Sequence, residues 1–91
     1  MNKSIKKDMT ISAINMKKNE EGIIAQLNTN NKNILRKLMS MGILPGMNLR
    51  VIQTYPSYVF QVGYTQIAVD KEIASVILVN TSLQIKNEVD Y

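Results

Sequence analysis

Ninety-one residues suffice for one domain but not for two, and an apolar fraction of 45% is ordinary for a globular chain. The sequence holds no cysteine and no histidine, which excludes a disulfide scaffold, a thiolate or imidazole metal site and the commonest general base. The net charge of +4 is a mild, scattered basic excess that is typical of a solvated surface. We therefore expect no enzyme activity, no cofactor, no tightly bound transition metal and no nucleic-acid partner.

No stretch of the sequence predicts a targeting segment or a membrane span. Residues 1–8 are basic, but no apolar region follows them. The longest apolar run, residues 76–79, is strand-sized and far below the roughly 20 residues that a membrane helix needs. We expect a cytoplasmic chain without direct membrane insertion, in which residues 1–8 form a flexible N-terminus.

Several short segments show the alternation of apolar and polar residues that is typical of half-buried strands. In the first of them, Met9, Ile11 and Ala13 alternate with polar residues and are predicted to face inward. Turn residues separate the segments, which favours a small barrel or sandwich of about five strands. The predicted strand segments are residues 9–15, 22–27, 47–51, 58–62, 65–69 and 76–79.

One helix is predicted over residues 32–41, after an asparagine-rich stretch that offers N-cap side chains. Its apolar residues recur at helical spacing and should face the barrel. They are Ile34, Leu38 and Met41, with Leu35 and Met39 beside them. A shorter helical turn over residues 71–75 follows Asp70, which is a suitable N-cap.

The segment from residue 35 to residue 47 is the most informative part of the sequence. It contains the pattern Leu38-x-x-x-Gly42-Ile43-x-Pro45-Gly46, followed by a hydrophobic strand. Glycine at the helix end tolerates positive φ, and Pro-Gly suits the centre of a type II turn. With the downstream pattern, this segment resembles the ferrous iron transport protein A (FeoA) family over about residues 9–79. The downstream pattern is Ile67-Ala68-Val69, then Ala74-x-x-Ile77-x-Val79.

The resemblance implies a mainly β fold, a small SH3-like β-barrel over residues 9–79 with one inserted α-helix and a short helical turn. Residues 80–91 would form a tail or an added edge strand. It also implies a cytosolic accessory protein that binds the cytosolic GTP-binding part of a membrane ferrous iron transporter, and so lies at the inner face of the membrane through its partner. The chain departs from the family in its short loop after Val51 and in Asp70, where a basic residue is common.

Two groups of residues are assigned on this basis. The first has a structural role, in the core or in backbone geometry: Leu38, Gly42, Ile43, Pro45, Gly46, Ala74, Ile77 and Val79. The second is a hypothetical partner-binding surface, because tyrosine and arginine are frequent anchors of protein interfaces. It consists of the outward helix residues Arg36, Lys37 and Ser40, with Tyr55 and Tyr58 from the loop after the third strand.

An alternative function is that of an SH3-like regulatory or interaction domain related to those of metal-dependent transcriptional repressors. Such a repressor needs a helix-turn-helix, and this chain has one clear helix. A nucleic-acid-binding barrel would need basic residues interleaved with its aromatics, whereas Gln61 and Ser57 flank Phe60 and Tyr58. The pattern leaves open a weak homo-oligomer, and it does not say whether the partner is activated or inhibited.

Overall fold

The computed structural model describes residues 9–81, so the predicted N-terminal segment 1–8 and all but the first two residues of the predicted tail lie outside the described residues. The predicted fold class is confirmed, since strands dominate and one α-helix is inserted between the second and third of them. The elements are β1 (Thr10–Ser12), a 3-10 helix (Ala13–Asn15), β2 (Glu21–Leu27), α1 (Lys32–Ser40), β3 (Asn48–Gln53), β4 (Tyr58–Val62), β5 (Thr65–Val69), α2 (Lys71–Val76) and β6 (Ile77–Asn80).

The six strands form one antiparallel sheet in the order β1-β6-β2-β3-β4-β5. The last strand, β6, is inserted between β1 and β2, which joins the two ends of the described chain. The sheet has six strands against an expected number of about five, and each of the six overlaps one of the predicted strand segments.

The first predicted strand is wrong over its second half. The chain leaves the sheet after Ser12 and forms a 3-10 helix, in which the Ser12 hydroxyl accepts a hydrogen bond from the Ile14 N–H at 3.3 Å. Ala13 is fully buried there, and the helix packs against α2. Met9, predicted to face inward, is exposed. Alternation alone did not predict this, because a serine side chain can cap a helical turn as readily as it can extend a strand.

The core is a cluster of buried apolar side chains drawn from the strands and both α-helices. Within residues 9–81 it contains no buried polar or charged residue, so no buried polar side chain needs a compensating partner. Its largest fully buried members are Phe60, Ile24, Leu38, Ile43, Leu49, Ile77, Val51 and Val79.

The α1 helix begins and ends where local signals place it. The Asn31 side chain accepts hydrogen bonds from the backbone N–H groups of Asn33 and Ile34, at 2.9 and 3.2 Å. The helix stops at Ser40, and Gly42 follows with a φ of +83°, in the left-handed region that favours glycine. The Ile43 N–H then donates to the Leu38 carbonyl at 3.0 Å, which closes the helix end.

The connection from α1 to β3 is held against β2 by backbone hydrogen bonds. The Gly46 N–H donates to the Ile24 carbonyl, and the Ile24 N–H donates to the Met47 carbonyl, both at 2.8 Å. Gly46 has a φ of +95°, as the Pro-Gly turn predicts. These bonds fix the position of α1 relative to the sheet.

In the second half of the chain, all predicted elements are present, β4 and β5 at their predicted bounds and the others with shifted ends. The strand predicted at residues 47–51 runs over Asn48–Gln53, and the predicted helical turn becomes α2, Lys71–Val76. The Asp70 carboxylate caps α2 by accepting from the Ile73 N–H at 2.9 Å. The closing strand covers Ile77–Asn80.

Candidate docking surface on the first helix

The α1 helix turns one apolar stripe toward the core and leaves a second one outside. Leu38 is fully buried, and Ile34 and Met41 pack against the core on either side of it. Leu35 and Met39 were predicted to lie beside this stripe, but they face away from it: Leu35 is half-buried and Met39 is 51% exposed. A helix residue advances by about 100°, so residues one position from the core stripe can point to solvent.

The half-buried Leu35 and the exposed Met39 are the apolar part of an open, mostly apolar surface of α1. It combines Leu35 and Met39 with cationic and hydroxyl side chains one turn away, as the i, i+3 and i+4 spacing requires. We call this surface the α1 outer face. Its residues are Lys32, Leu35, Arg36, Met39 and Ser40.

The charge of α1 has one sign. Its sequence includes Lys32, Arg36 and Lys37, all exposed, and no carboxylate. Arg36 belongs to the α1 outer face, whereas Lys37 lies about 100° further round the helix, on its flank. The Ser40 hydroxyl donates to the Lys37 carbonyl at 2.8 Å, so its proton is already used inside the helix.

The two candidate tyrosines have different environments. Tyr55 lies in the bend between β3 and β4 and is 85% exposed. Tyr58 begins β4, is half-buried, and its ring lies 6.2 Å from that of the buried Phe60. The loop is braced by Gln53, whose side-chain amide donates to the Ser57 carbonyl at 3.2 Å. Tyr55 is therefore free for a partner, while Tyr58 also supports the core.

Neither tyrosine is among the residues that line the α1 outer face. A seven-residue connection, residues 41–47, joins α1 to the first residue of β3, and the Tyr55 loop follows the last residue of that strand. The two attachment points are thus roughly 17 Å apart along β3. We therefore treat the α1 outer face and the Tyr55 loop as two separate surfaces.

The acidic side chains of residues 9–81 are the remaining candidates for a ligand site. Among residues 9–81, no three acidic, histidine or cysteine side chains converge in a way that could hold a metal ion. Glu20 accepts a hydrogen bond from the Lys17 N–H at 2.8 Å, and Glu21 accepts one from the Asn48 side chain at 3.3 Å. No helix within the described range is long and apolar enough to cross a bilayer.

Comparison with known proteins decides the family. A model of the FeoA domain matches residues 9–81, the whole described part of the chain. This chain belongs to the FeoA family. FeoA proteins are small accessory proteins of ferrous iron transport and are not an enzyme family. No curated protein matches the chain significantly.

Solved structures agree with this assignment. An iron uptake regulatory protein (FeoA) is 26% identical, with a TM-score of 0.72, over 79% of this chain and 96% of that one. FeoA of Stenotrophomonas maltophilia, crystallised with zinc and described as an SH3 domain protein, is 20% identical, with a TM-score of 0.68, over 77% of this chain and 89% of that one. A manganese-dependent transcriptional repressor shares the fold at 17% identity and a TM-score of 0.76, over 82% of this chain and 43% of the repressor. The FeoA chain is thus an SH3-like domain, and the fold also occurs inside larger regulators.

Sequence reasoning missed Lys32, Leu35 and Met39 as surface candidates. A signal was present, because the apolar residues of α1 fall at positions 34, 35, 38 and 39. They make a stripe that is wider than the one helix face that a small barrel can cover. The structure shows that the core covers the half with Ile34 and Leu38 and leaves Met39 exposed.

Proposed function

We propose that this FeoA chain is a cytosolic accessory protein of a ferrous iron uptake system. It docks through the α1 outer face on the cytosolic GTP-binding part of the membrane iron transporter, and so lies at the inner face of the membrane. The Tyr55 loop is a second, separate contact. Family membership supports the uptake system as the setting, and the surface of α1 supports the docking mode.

The observation that carries the docking mode is the exposed Met39 side chain, with the half-buried Leu35 next to it and Arg36 and Lys32 at their edge. Removing apolar surface from water is favourable, so a partner that covers these side chains lowers the free energy of the complex. The cations at the edge of the α1 outer face favour a partner with negative charge there, and they mainly affect the rate of association. The complementary surface on the transporter is therefore apolar at its centre and acidic at its edge.

A binding titration with the purified cytosolic domain of the ferrous iron transporter tests this proposal. The double variant Arg36→Glu/Lys37→Glu should weaken binding on the order of tenfold and reduce its salt dependence. Its matched control is Lys17→Glu/Lys18→Glu, which changes the net charge equally at exposed residues outside α1. Met39→Gln keeps the side-chain length, removes its apolar end and should also weaken binding.

The tyrosine loop needs its own pair of variants. Tyr55→Ala should weaken binding, whereas Tyr64→Ala, at an equally exposed tyrosine in the β4–β5 turn, should not. Tyr58→Ala is a poor probe, since its ring packs on Phe60 and its loss should lower stability first. Circular dichroism confirms that each variant is folded. If the folded Arg36/Lys37 and Met39 variants both bind like the parent, the α1 outer face is the wrong surface.

The alternative, a regulatory domain like those of metal-dependent repressors, is favoured only by the shared fold. This chain corresponds to less than half of the repressor, and residues 9–81 contain no helix-turn-helix. Binding of the transporter domain without binding of duplex DNA separates the two functions.

A further inference from the structure

The strand β5 is an open edge of the sheet. Among residues 9–81 it pairs with β4 alone, in an uninterrupted antiparallel register over all five of its residues. Its sequence, Thr-Gln-Ile-Ala-Val, has no charge and no proline. Natural edge strands are usually protected by charges, proline, bulges or short length, because an open edge offers unpaired backbone groups to another chain.

The opposite edge of the same sheet shows the protection that β5 lacks. There β1 has only three residues, the chain then turns into a 3-10 helix, and α2 packs against both elements. A sheet with one blunted edge and one regular, uncharged edge has one place where a strand can be added.

The register of the β4–β5 hairpin determines which groups β5 offers. The two-residue turn at Gly63–Tyr64 makes Val62 and Thr65 a hydrogen-bonded pair, so alternate residues of β5 bond β4. The backbone N–H and C=O groups of Gln66 and Ala68 therefore point outward. Ile67, between them, packs its side chain partly on the core and remains half-buried at the edge.

We propose that β5 pairs with β5 of a second copy of this chain, in an antiparallel register centred on Ile67. Gln66 then lies opposite Ala68 of the second copy, and the outward groups of both residues form four backbone hydrogen bonds across the twofold axis. The two Ile67 side chains meet at a non-hydrogen-bonded position, where side chains approach most closely. This register brings no charged side chains of β5 together, since the strand has none, and it extends both cores.

The second copy fits this edge because the strand is self-complementary, and a twofold interface uses the same patch on both subunits. One added strand pair buries less than a standard interface, so the dimer is weak and forms at concentrations on the order of 0.1–1 mM. Each copy carries a net charge of +4, so added salt should strengthen the dimer by screening repulsion. Added salt should instead weaken docking on an acidic transporter surface. The dimer does not depend on that proposed function.

The absence of cysteine from the sequence makes a crosslinking test clean. An Ile67→Cys variant places two thiols at the twofold axis, where the Cα separation of about 4.5 Å suits a disulfide. Mild oxidation should convert most of this variant into a covalent dimer. The control is Tyr64→Cys, at a fully exposed site whose two copies would lie roughly 20 Å apart in the proposed register.

The result expected is rapid crosslinking of Ile67→Cys, slow crosslinking of Tyr64→Cys, and an average mass of the parent protein that rises with concentration and with salt in sedimentation equilibrium. Equal crosslinking rates would show random collision and overturn the register. A parent protein that stays monomeric at millimolar concentration, with no selective crosslinking, would overturn the dimer. Both variants are checked by circular dichroism and thermal melting, and the parent measurement stands even if Ile67→Cys is unstable.

Discussion

Two of the four glycines in this domain are required for different physical reasons. Gly42 takes a φ of +83° after α1, and nothing lies within 4 Å of the place where a side chain would begin. Its constraint is therefore the backbone conformation. Gly22 has ordinary backbone angles, but an added Cβ would lie 2.5 Å from the Asn80 carbonyl oxygen of β6. Its constraint is the close approach of two strands.

A substitution at Gly42 tests the conformational constraint. Gly42→Val should destabilise the domain by on the order of 1–3 kcal/mol, because a β-branched residue at positive φ is strained. The matched control is Gly42→Asn, since asparagine tolerates the left-handed region. Thermal melting should show a clear drop for valine and a much smaller one for asparagine. An unchanged melting temperature for Gly42→Val would mean that the helix ends in a different conformation.

At the scale of the element, α1 depends on its cap more than most helices do. Its first turn has no acidic residue and begins with Lys32, so the partial positive charge of the helix N-terminus is unopposed. The Asn31 side chain caps this turn by accepting hydrogen bonds from two backbone N–H groups. Asn31 therefore stabilises the first turn of the helix that carries the proposed docking surface.

We expect Asn31→Ala to lower the free energy of unfolding by about 1 kcal/mol, within the range measured for lost N-caps. Asn31→Asp should retain the cap and add a favourable charge at the helix N-terminus. Urea denaturation measures the free energy of unfolding of both variants. Equal stability of the two variants would show that the cap contributes little.

At the scale of the whole molecule, the described part of the domain offers little to a transition metal. It has no thiolate or imidazole ligand, and its four carboxylates, Glu20, Glu21, Asp70 and Glu72, do not converge. The Asp70 carboxylate already caps α2, and that of Glu20 already bonds the turn before β2. Hard oxygen ligands of this kind bind ferrous iron weakly unless several meet at one point.

Anaerobic calorimetry with ferrous iron should therefore show no saturable binding in the submicromolar range. A parallel titration with magnesium, which prefers the same oxygen ligands, should give a comparably weak response. Stoichiometric submicromolar binding of iron alone would contradict the prediction. In that case the chain would handle iron directly, besides docking on a transporter.

The sequence by itself determined the elements whose signals are local. The asparagine before α1, the glycine after it and the Pro-Gly turn each act through their own backbone, so the helix lies within one residue of its predicted end. Period-two alternation placed β4 and β5 at their observed bounds, because a strand with one buried face repeats every second residue. The motif after α1, with its downstream strand pattern, was sufficient to indicate the FeoA family.

The tertiary structure decided what depends on elements distant in the chain. Ala13 lies in a 3-10 helix against α2, and Gly22 is needed because β6 passes beside it; no pattern within either segment carries that information. The same holds for the surfaces. Met39 is exposed because the barrel covers only one stripe of α1, and β5 is open because β6 joins the sheet at its other end. Periodicity predicts that a face is apolar, but only the assembled fold determines whether anything covers it.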